Sequence, residues 1–427
     1  MRNILIRNNQ SVIICGLWIV LLFHTLSIAQ DVTSPRQAIQ AIQDRQTLPA
    51  GSDSQLQIYV PSILAAKGRF EYDDDGAVIG LDFSDDSNYV SDDILPSILY
   101  FTELKKLRIS GDWSPNTINQ LLRLSKLEEL CLQDTFIDDE TFAHLSQLPH
   151  LTSLTVWRAS KLTDASLSRV EKFTGLTTLS LIDLQLSDAV CKSIAKINTL
   201  KTIDLRGCSR MSVEGMRHLT TLPSLETFRL GGKDIDDRMV IELANFSTLK
   251  SLTLEECNVT SRWTDSISKL KLDELVLIRC ELVDDGMIIP ILISQHQLKR
   301  LTVCDCQLTR NTLSRIKSKD KLMELQFSET LLDDSSADFL AECVHLKRLE
   351  LRATQITDAT LEKIAKLEEL EYLHLQGTAI TDAGLKKLSD CTSLRYLNIA
   401  QTAVSEIAAQ EFQQAHPRCV VDRRMAP

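Results

Sequence analysis

The sequence repeats from about residue 78 to the C-terminus, and this period constrains the fold more than any other feature. Each copy has the frame Leu-x-x-Leu-x-Leu-x-x-(Thr/Cys), then an apolar residue followed by Ser, Thr or Asp, and then a short amphipathic stretch. Steps between opening leucines are 23 to 26 residues. This period predicts stacked repeats, because one copy cannot bury its apolar face alone. The opening leucines are Leu104, Leu127, Leu151, Leu176, Leu200, Leu225, Leu249, Leu272, Leu298, Leu322, Leu346, Leu370 and Leu394.

Within one repeat, the fourth and sixth positions lie on the same face of an extended strand. The Leu-x-Leu run therefore predicts a short parallel strand whose leucines point into the core. The apolar residue followed by Ser, Thr or Asp predicts a helix N-cap, and a helix of about three turns is expected after it. Because helices are wider than the strand spacing of about 4.8 Å, the stack should curve with the strands inside. The predicted fold is α/β: a curved solenoid, or horseshoe, with an inner parallel sheet of about 14 strands and outer helices.

The leucine frame and the Ile-Thr-Asp-Ala-Gly-Leu run at 380–385 resemble the leucine-rich repeat superfamily, in its ribonuclease-inhibitor-like and cysteine-containing type. The runs at 68–84 (GRFEYDDDGAVIGLDFS) and 412–422 (FQQAHPRCVVD) are similar to the beginning and end of the array in exported leucine-rich repeat proteins of planctomycete-type bacteria. The resemblance covers about residues 78–420. It implies the architecture and export, and it names no partner.

Three regions are expected along the chain. Residues 1–29 have a basic start, a short apolar run and small residues at Ser27 and Ala29, which predicts a signal peptide cut before Gln30. An uncleaved N-terminal anchor is the alternative. Residues 30–77 are predicted to form an N-terminal capping region of helices plus a hairpin strand, and residues 78–427 the repeat array with its C-terminal cap. An exported chain would be periplasmic, on the cell surface or extracellular.

The formal net charge of −11 argues against nucleic acid as a partner, because phosphates require a basic surface. Much of the negative charge is aspartate at the first helical position, where it stabilises the positive end of the helix. The chain has no nucleophile elbow, phosphate-binding glycine loop, dinucleotide fingerprint or metal-binding histidine motif. We therefore expect no enzyme activity, no cofactor and no metal.

Cys208, Cys257, Cys280 and Cys306 fall at the inward Thr/Cys position of the frame, and Cys343 and Cys391 match one another two repeats apart, beyond disulfide reach. Most of the thiols are therefore predicted to be buried and reduced. Cys131 differs because it lies between two strand leucines, on the concave side. It is predicted to be the most reactive thiol.

The concave face is the predicted binding surface, and its columns of side chains are expected to be exposed. Aromatic residues are rare in the chain, and aromatics with arginine are what protein interfaces concentrate. The main predicted site is Arg348, Glu350, Arg352, Tyr372, His374, Gln376, Tyr396 and Asn398, and the second is Trp157, Arg206 and Arg229.

The predicted function is an exported, non-enzymatic binding protein that recognises a protein or peptide, with a glycan as the other candidate ligand. No nucleic acid partner and no membrane span in the mature chain are expected. The alternative is a substrate-recognition adaptor of the ribonuclease-inhibitor-like type that acts inside the cell. The alternative interpretation of Tyr372 and Tyr396 is structural, since tyrosine suits strands and these residues cover the end of the array.

Overall fold

The computed structural model describes residues 34–46, 48–49, 51–84, 90–111 and 113–424. Its contacts divide the chain into two units, Met1–Leu151 and Thr152–Pro427, and each is described by itself. The predicted signal peptide at residues 1–29 lies outside the described residues.

The first unit begins with the predicted cap. Ser34 caps helix α1, and its side chain accepts a hydrogen bond from the Gln37 N–H. A hairpin of antiparallel strands follows, closed by a turn in which the Asp73 carboxylate accepts from the N–H groups of Asp75 and Ala77. Later strands of this unit pair in parallel. The elements are α1 (Pro35–Gln43), α2 (Leu56–Ala65), β1 (Arg69–Tyr72), β2 (Val78–Asp82), α3 (Leu95–Tyr100), β3 (Lys106–Ser110), α4 (Pro115–Gln120), β4 (Glu129–Gln133) and α5 (Asp139–His144), with 3-10 turns at Asp92–Ile94, Leu121–Arg123 and Leu145–Gln147.

In the second unit, each described strand pairs in parallel with the next one along the chain. The predicted Leu-x-Leu strands are confirmed. The short last strand, which no leucine frame predicted, adds to the end of the sheet. The strands are β5 (Ser153–Trp157), β6 (Thr178–Ile182), β7 (Thr202–Arg206), β8 (Thr227–Gly231), β9 (Ser251–Glu255), β10 (Glu274–Ile278), β11 (Arg300–Cys304), β12 (Glu324–Ser328), β13 (Arg348–Glu350), β14 (Tyr372–His374), β15 (Tyr396–Asn398) and β16 (Val420–Asp422).

Most helices of the second unit are shorter than the predicted three turns, although Asp285–Ser294 and Glu406–Ala415 have ten residues each. Many are one or two turns long, and several pass into a 3-10 turn, because the chain must return to the next strand within one repeat. The helices are α6 (Asp164–Leu167), α7 (Asp188–Ile194), α8 (Val213–Leu219), α9 (Asp237–Ile241), α10 (Thr264–Ile267), α11 (Asp285–Ser294), α12 (Arg310–Leu313), α13 (Ala337–Glu342), α14 (Asp358–Ile364), α15 (Asp382–Lys387) and α16 (Glu406–Ala415), with 3-10 turns at Val170–Lys172, Glu242–Asn245, Ser261–Trp263, Asp334–Ser336 and Leu388–Asp390.

The core is a stack of leucines in register. Leu252 of β9 pairs with Leu275 of β10, which pairs with Leu301 of β11, and all three are buried. Successive side chains of a strand point to opposite faces. Within each strand, the residues that flank a core leucine therefore lie on the other face of the sheet. We call that side the open strand face.

Aspartates at the first helical position do more than stabilise their own helix. In the second unit, Asp334 accepts hydrogen bonds from the Thr357 backbone N–H (2.8 Å) and hydroxyl (2.6 Å), and Thr357 is the N-cap of the next helix. Asp358 makes the same pair of bonds to Thr381, and Asp382 to Ser405. We call this contact the cap bridge. In these repeats it joins the start of one helix to the start of the next.

The cap bridge also accounts for a regularity in the sequence. Asp188, Asp237 and Asp285 each precede a repeat whose N-cap is Ser or Thr, which can donate to a carboxylate. Where the first helical residue is Val213, Ser261 or Arg310, the next N-cap is instead aspartate: Asp236, Asp284 and Asp333, respectively. Two facing carboxylates would repel one another. An aspartate at the first helical position is therefore followed, one repeat later, by a Ser or Thr N-cap and not by an aspartate.

Across the described residues, the helices are too short or too polar to cross a lipid bilayer.

Replacing Asp334 by Ala should lower the free energy of unfolding by about 1–2 kcal/mol. The change removes a charged acceptor from Thr357 and from the Thr360 hydroxyl (2.6 Å), and the site is only partly buried. Urea unfolding at neutral pH measures the loss. Asp338→Ala is the matched control, because that exposed carboxylate pairs with Lys363 alone among the described ion pairs and should cost far less.

Acid should erase the difference between wild type and Asp334→Ala. Burial acts to raise the pKa of Asp334, but hydrogen bonds from Thr357 and Thr360 outweigh it and hold the pKa below its ordinary value. A carboxyl group whose pKa is lowered on folding stabilises the fold at pH values above its unfolded-state pKa of about 3.9. This contribution is lost as the pH falls through the folded-state pKa. A difference that persisted unchanged well below that pH would rule out a charged cap bridge.

Candidate functional site

The main predicted site lies in the second unit, where register builds a stack of side chains on the open strand face. Tyr372 of β14 pairs with Arg348 of β13 on one side and with Tyr396 of β15 on the other. The centres of the two tyrosine rings are 4.6 Å apart and the rings are 10° from parallel. This distance agrees with the spacing of about 4.8 Å between neighbouring strands. The Arg348 guanidinium carbon lies 3.6 Å from the centre of the Tyr372 ring. We call Arg348, Tyr372 and Tyr396 the tyrosine ladder.

The ladder contains a contact between a cation and an aromatic ring. A guanidinium over an aromatic face is attracted by the negative charge density of the ring. All three side chains are half-buried, so each is held by its neighbours and still reaches solvent. Arg348 also bonds the Glu350 carboxylate, which fixes its position over Tyr372.

The column beside the ladder is closed, contrary to the expectation of exposure. Glu350, His374, Gln376 and Asn398 are all buried. His374 Nε2 lies 3.4 Å from the Gln376 side-chain oxygen, and its Nδ1 lies 3.9 Å from Glu350. Gln376 donates in turn to Gln401 (3.1 Å). These side chains lie buried beside the ladder, so they are not a ready contact surface.

His374 is held in its neutral form. Burial lowers the pKa of His374, and the nearby Glu350 carboxylate only partly offsets this effect. Because the ordinary value is about 6.5, the imidazole is uncharged at neutral pH. Arg352, the remaining predicted residue here, forms an ion pair with Glu329.

The last strand fixes the far end of the ladder, which the sequence alone did not indicate. The Tyr396 hydroxyl donates to Asp422 of β16 at 3.3 Å, and the Asn398 amide donates to the Arg424 carbonyl at 3.5 Å. The pKa of Asp422 falls to about 2, first because Arg424 bonds its carboxylate. Tyr396 therefore contacts the last strand as well as being part of the ladder.

The second predicted site is a notch of about 300 Å³ where strands β5–β10 end. Trp157 and Asp183 form one wall, and Glu256 and Arg279 the other. The indole N–H of Trp157 donates to the Asp183 carboxylate at 2.7 Å, which fixes the ring. Arg206 lines the notch, as predicted for this site, whereas Arg229 lies behind it, 3.8 Å from Asp204.

Glycines occupy two positions of the notch at which neighbouring repeats carry side chains. Most strands of this unit end at a residue with left-handed backbone, and that residue carries a side chain at Arg158, Asp183 and Glu256. The equivalent positions in the repeats between Asp183 and Glu256 are Gly207 (φ 69°) and Gly232 (φ 124°), which have none. Sequence reasoning missed this feature. The readable signal was a glycine at a position where neighbouring repeats have a polar side chain.

Arginine and carboxylate side chains alternate along the notch. Arg206 donates to Asp204 through Nε (3.0 Å) and Nη2 (2.9 Å), and to Glu255 through Nη1 (2.8 Å). Arg279 donates to Glu256 through Nε (2.7 Å) and also contacts Glu255. The pKa of Arg206 is raised, first by its hydrogen bond to Asp204, so the guanidinium stays charged.

The cysteines divide by exposure. Cys208, Cys257, Cys280 and Cys306 are buried at the predicted inward position, and the Cys208 thiol donates to the Leu181 carbonyl at 2.9 Å. Cys191, Cys343, Cys391 and Cys419 are buried as well. Cys131 is half-buried, as its place between strand leucines predicts, and Cys304 is equally so. In the described part of the chain, no group of three or more His, Cys, Asp or Glu side chains could hold a metal ion.

Comparisons with known proteins support the repeat architecture. A family model described as Leucine Rich repeat matches residues 369–389. No curated protein matches the chain significantly. A chain of the Rad7–Elc1 complex in yeast is similar in structure, with a TM-score of 0.51 and 22% identity over 72% of this chain and 82% of that one. This likeness shows a shared fold.

Two bacterial structures are similar at lower scores. One is the internalin InlF from Listeria monocytogenes, with a TM-score of 0.41 and 17% identity over 88% of this chain and 96% of that one. The other is a leucine-rich repeat protein of Leptospira interrogans, with a TM-score of 0.42 and 18% identity over 78% of this chain and 87% of that one.

Thiol labelling should modify Cys131 and Cys304 well before Cys257 and Cys280, because the first two are half-buried and the others are closed in the core. The reaction should be slow even at Cys131, since burial raises the pKa of its thiol to about 11 and leaves little thiolate. A time course with iodoacetamide, read by peptide mass spectrometry, measures the order. Labelling of Cys257 or Cys280 at the rate of Cys131 would contradict the assignment of these residues to the core.

Proposed function

Since the chain is a leucine-rich repeat protein, we propose that it is an exported, non-enzymatic binding protein whose open strand face recognises a protein or peptide partner. The observation that carries this proposal is the tyrosine ladder. It places two parallel rings and a guanidinium in one column, without using any of them in the leucine core.

The energetics of the ladder suit an interface. Tyrosine and arginine are enriched among the strongest contacts in protein complexes, and a tyrosine ring buries much area with only two torsions to fix. Stacking has already restricted the ring of Tyr372 between Arg348 and Tyr396, so binding would order it little further. A partner would gain contact area at a small entropic cost.

Charge favours a protein or peptide over a polyanion. The chain carries 47 Lys and Arg against 58 Asp and Glu. Arginines on the open strand face are paired: Arg300 with Glu274, Arg348 with Glu350, and Arg352 with Glu329. A nucleic acid requires a surplus of positive charge, and these paired arginines do not supply one.

The solved structure of similar fold fits this interpretation at the level of fold alone. The yeast structure is of Rad7 with Elc1, a complex of two proteins. A repeat stack that holds its leucines inside and its variable residues outside is suited to that use.

Tyr372→Ala should weaken binding of a true partner by about 2 kcal/mol or more, which is about 30-fold in Kd. The change removes the central ring of the ladder, and Tyr372 lies on the face opposite the leucine core. The measurement is capture of envelope proteins on the immobilised chain, followed by titration of the captured protein. Tyr372 is a cleaner target than Tyr396, whose hydroxyl also bonds Asp422.

Tyr372→Phe is the matched control, since it keeps the ring and its stacking and should retain the partner. Glu362→Ala, on the helix side of the preceding repeat, should also leave binding unchanged. Equal capture by Tyr372→Ala and wild type, with loss only in variants of the helix side, would place the binding surface elsewhere.

Export is the second part of the proposal, and it rests on the N-terminal sequence. We expect the native chain to begin at Gln30, because Ser27 and Ala29 provide the small residues that signal peptidases require. N-terminal sequencing of protein purified from its source, with fractionation of the cells, measures this. A chain that began at Met1 and remained in the cytoplasm would favour the intracellular adaptor instead.

A further inference from the structure

We propose that the notch between Trp157 and Arg279 binds a basic side chain, lysine or arginine, on the partner. This inference rests on the proposed function and adds the chemistry of one contact: a cation held between the indole and the carboxylates of the notch.

The shape of the notch fits a single side chain. Its volume of about 300 Å³ is at the lower limit of small-molecule sites. Gly207, Gly231 and Gly232 form part of its lining, so a ligand meets backbone there and not mobile side chains. A Cβ on Gly207 would lie 1.8 Å from an Asp183 carboxylate oxygen, so the carboxylate occupies the space that the glycine leaves.

The residues that line the notch carry one more negative than positive charge, before Arg158 at the rim is counted. Asp183, Glu255 and Glu256 supply three carboxylates, and Arg206 and Arg279 supply two guanidiniums. Behind the lining, Asp204 and Arg229 add one charge of each sign. An incoming cation would complete the alternation of charges, whereas an incoming anion would have to compete with carboxylates for both arginines.

Trp157 adds a second attraction for a cation. Its ring lines the notch beside Asp183, and the hydrogen bond between them holds both in place. The ring already attracts one guanidinium, since Arg158 lies 4.3 Å from its centre at the rim. Tryptophan is the best of the aromatic side chains for contact with a cation.

The test is binding of Nα-acetylarginine amide, with Nα-acetylcitrulline amide as the uncharged analogue of the same shape. The chain has four tryptophans, so ¹⁵N-indole labelling gives few NMR signals, and a Trp157→Phe variant assigns the one that matters. We expect the arginine derivative to shift the Trp157 signal with a Kd on the order of millimolar, as suits one isolated side chain. The citrulline derivative should bind at least about tenfold more weakly, which is about 1.4 kcal/mol.

Charge-removing variants locate the contact. Asp183→Asn and Glu256→Gln should each weaken binding of the arginine derivative several-fold. In Asp183→Asn the new side-chain amide oxygen can still accept from the indole, so the ring keeps its place. Asp305→Asn is the matched control: it makes the same change at the left-handed position of a later repeat, outside the notch, and should have no effect. Each variant is first compared with wild type by thermal unfolding.

The outcomes separate this inference from the proposed function. Equal binding of the arginine and citrulline derivatives, or no shift with either, would overturn the inference, and capture of a partner through Tyr372 would be unaffected. A shift with cellobiose alone would assign the notch to a sugar and also overturn it. Arginine binding that depends on Asp183 would support the inference even if capture of a protein partner failed.

Discussion

The structure depends on the fact that no repeat can bury its own leucines. A strand of five residues and a helix of one or two turns have too little surface to fold alone, so each repeat is stable only against its neighbours. Register then becomes the shared constraint. Leu252, Leu275 and Leu301 are buried because they stack on one another across parallel strands. The cap bridge applies the same constraint on the helix side, where Asp334 joins the start of one helix to that of the next through Thr357.

Register explains what the sequence could predict and what it could not. The strands, the N-caps and the 4.6 Å stacking of Tyr372 on Tyr396 follow from a period that repeats the same geometry at each step. The burial of His374 and Asn398 does not follow from the period, because it depends on individual contacts. His374 lies against the Gln376 side chain, and Asn398 donates to the Arg424 carbonyl just after β16. The notch was missed for a related reason: it exists where side chains are absent, at Gly207 and Gly232.

The cap bridge was readable from the sequence, although only with the geometry in mind. Aspartate at the first helical position is explained in part by the helix dipole, which would favour it in every repeat. The exceptions are informative. Val213, Ser261 and Arg310 take that position just where the next N-cap is itself aspartate. A dipole effect confined to one helix does not predict this dependence on the following repeat, whereas a hydrogen bond between repeats does.

Core leucines and open-face residues occupy different positions of each repeat, so the open-face residues can change without disturbing the core. A change on the open strand face, as at Trp157 or Tyr372, leaves the leucine stack intact, so the face can vary while the fold persists. Tyr396 is the exception, because its hydroxyl is bonded to Asp422 of the last strand. The two surfaces also differ in kind. The tyrosine ladder offers area and rigidity, and the notch offers charge and depth. If a partner used both, as we propose, the ladder would contribute mainly affinity and the notch selectivity, because a neutral side chain in the notch would leave its carboxylates without an added ion pair.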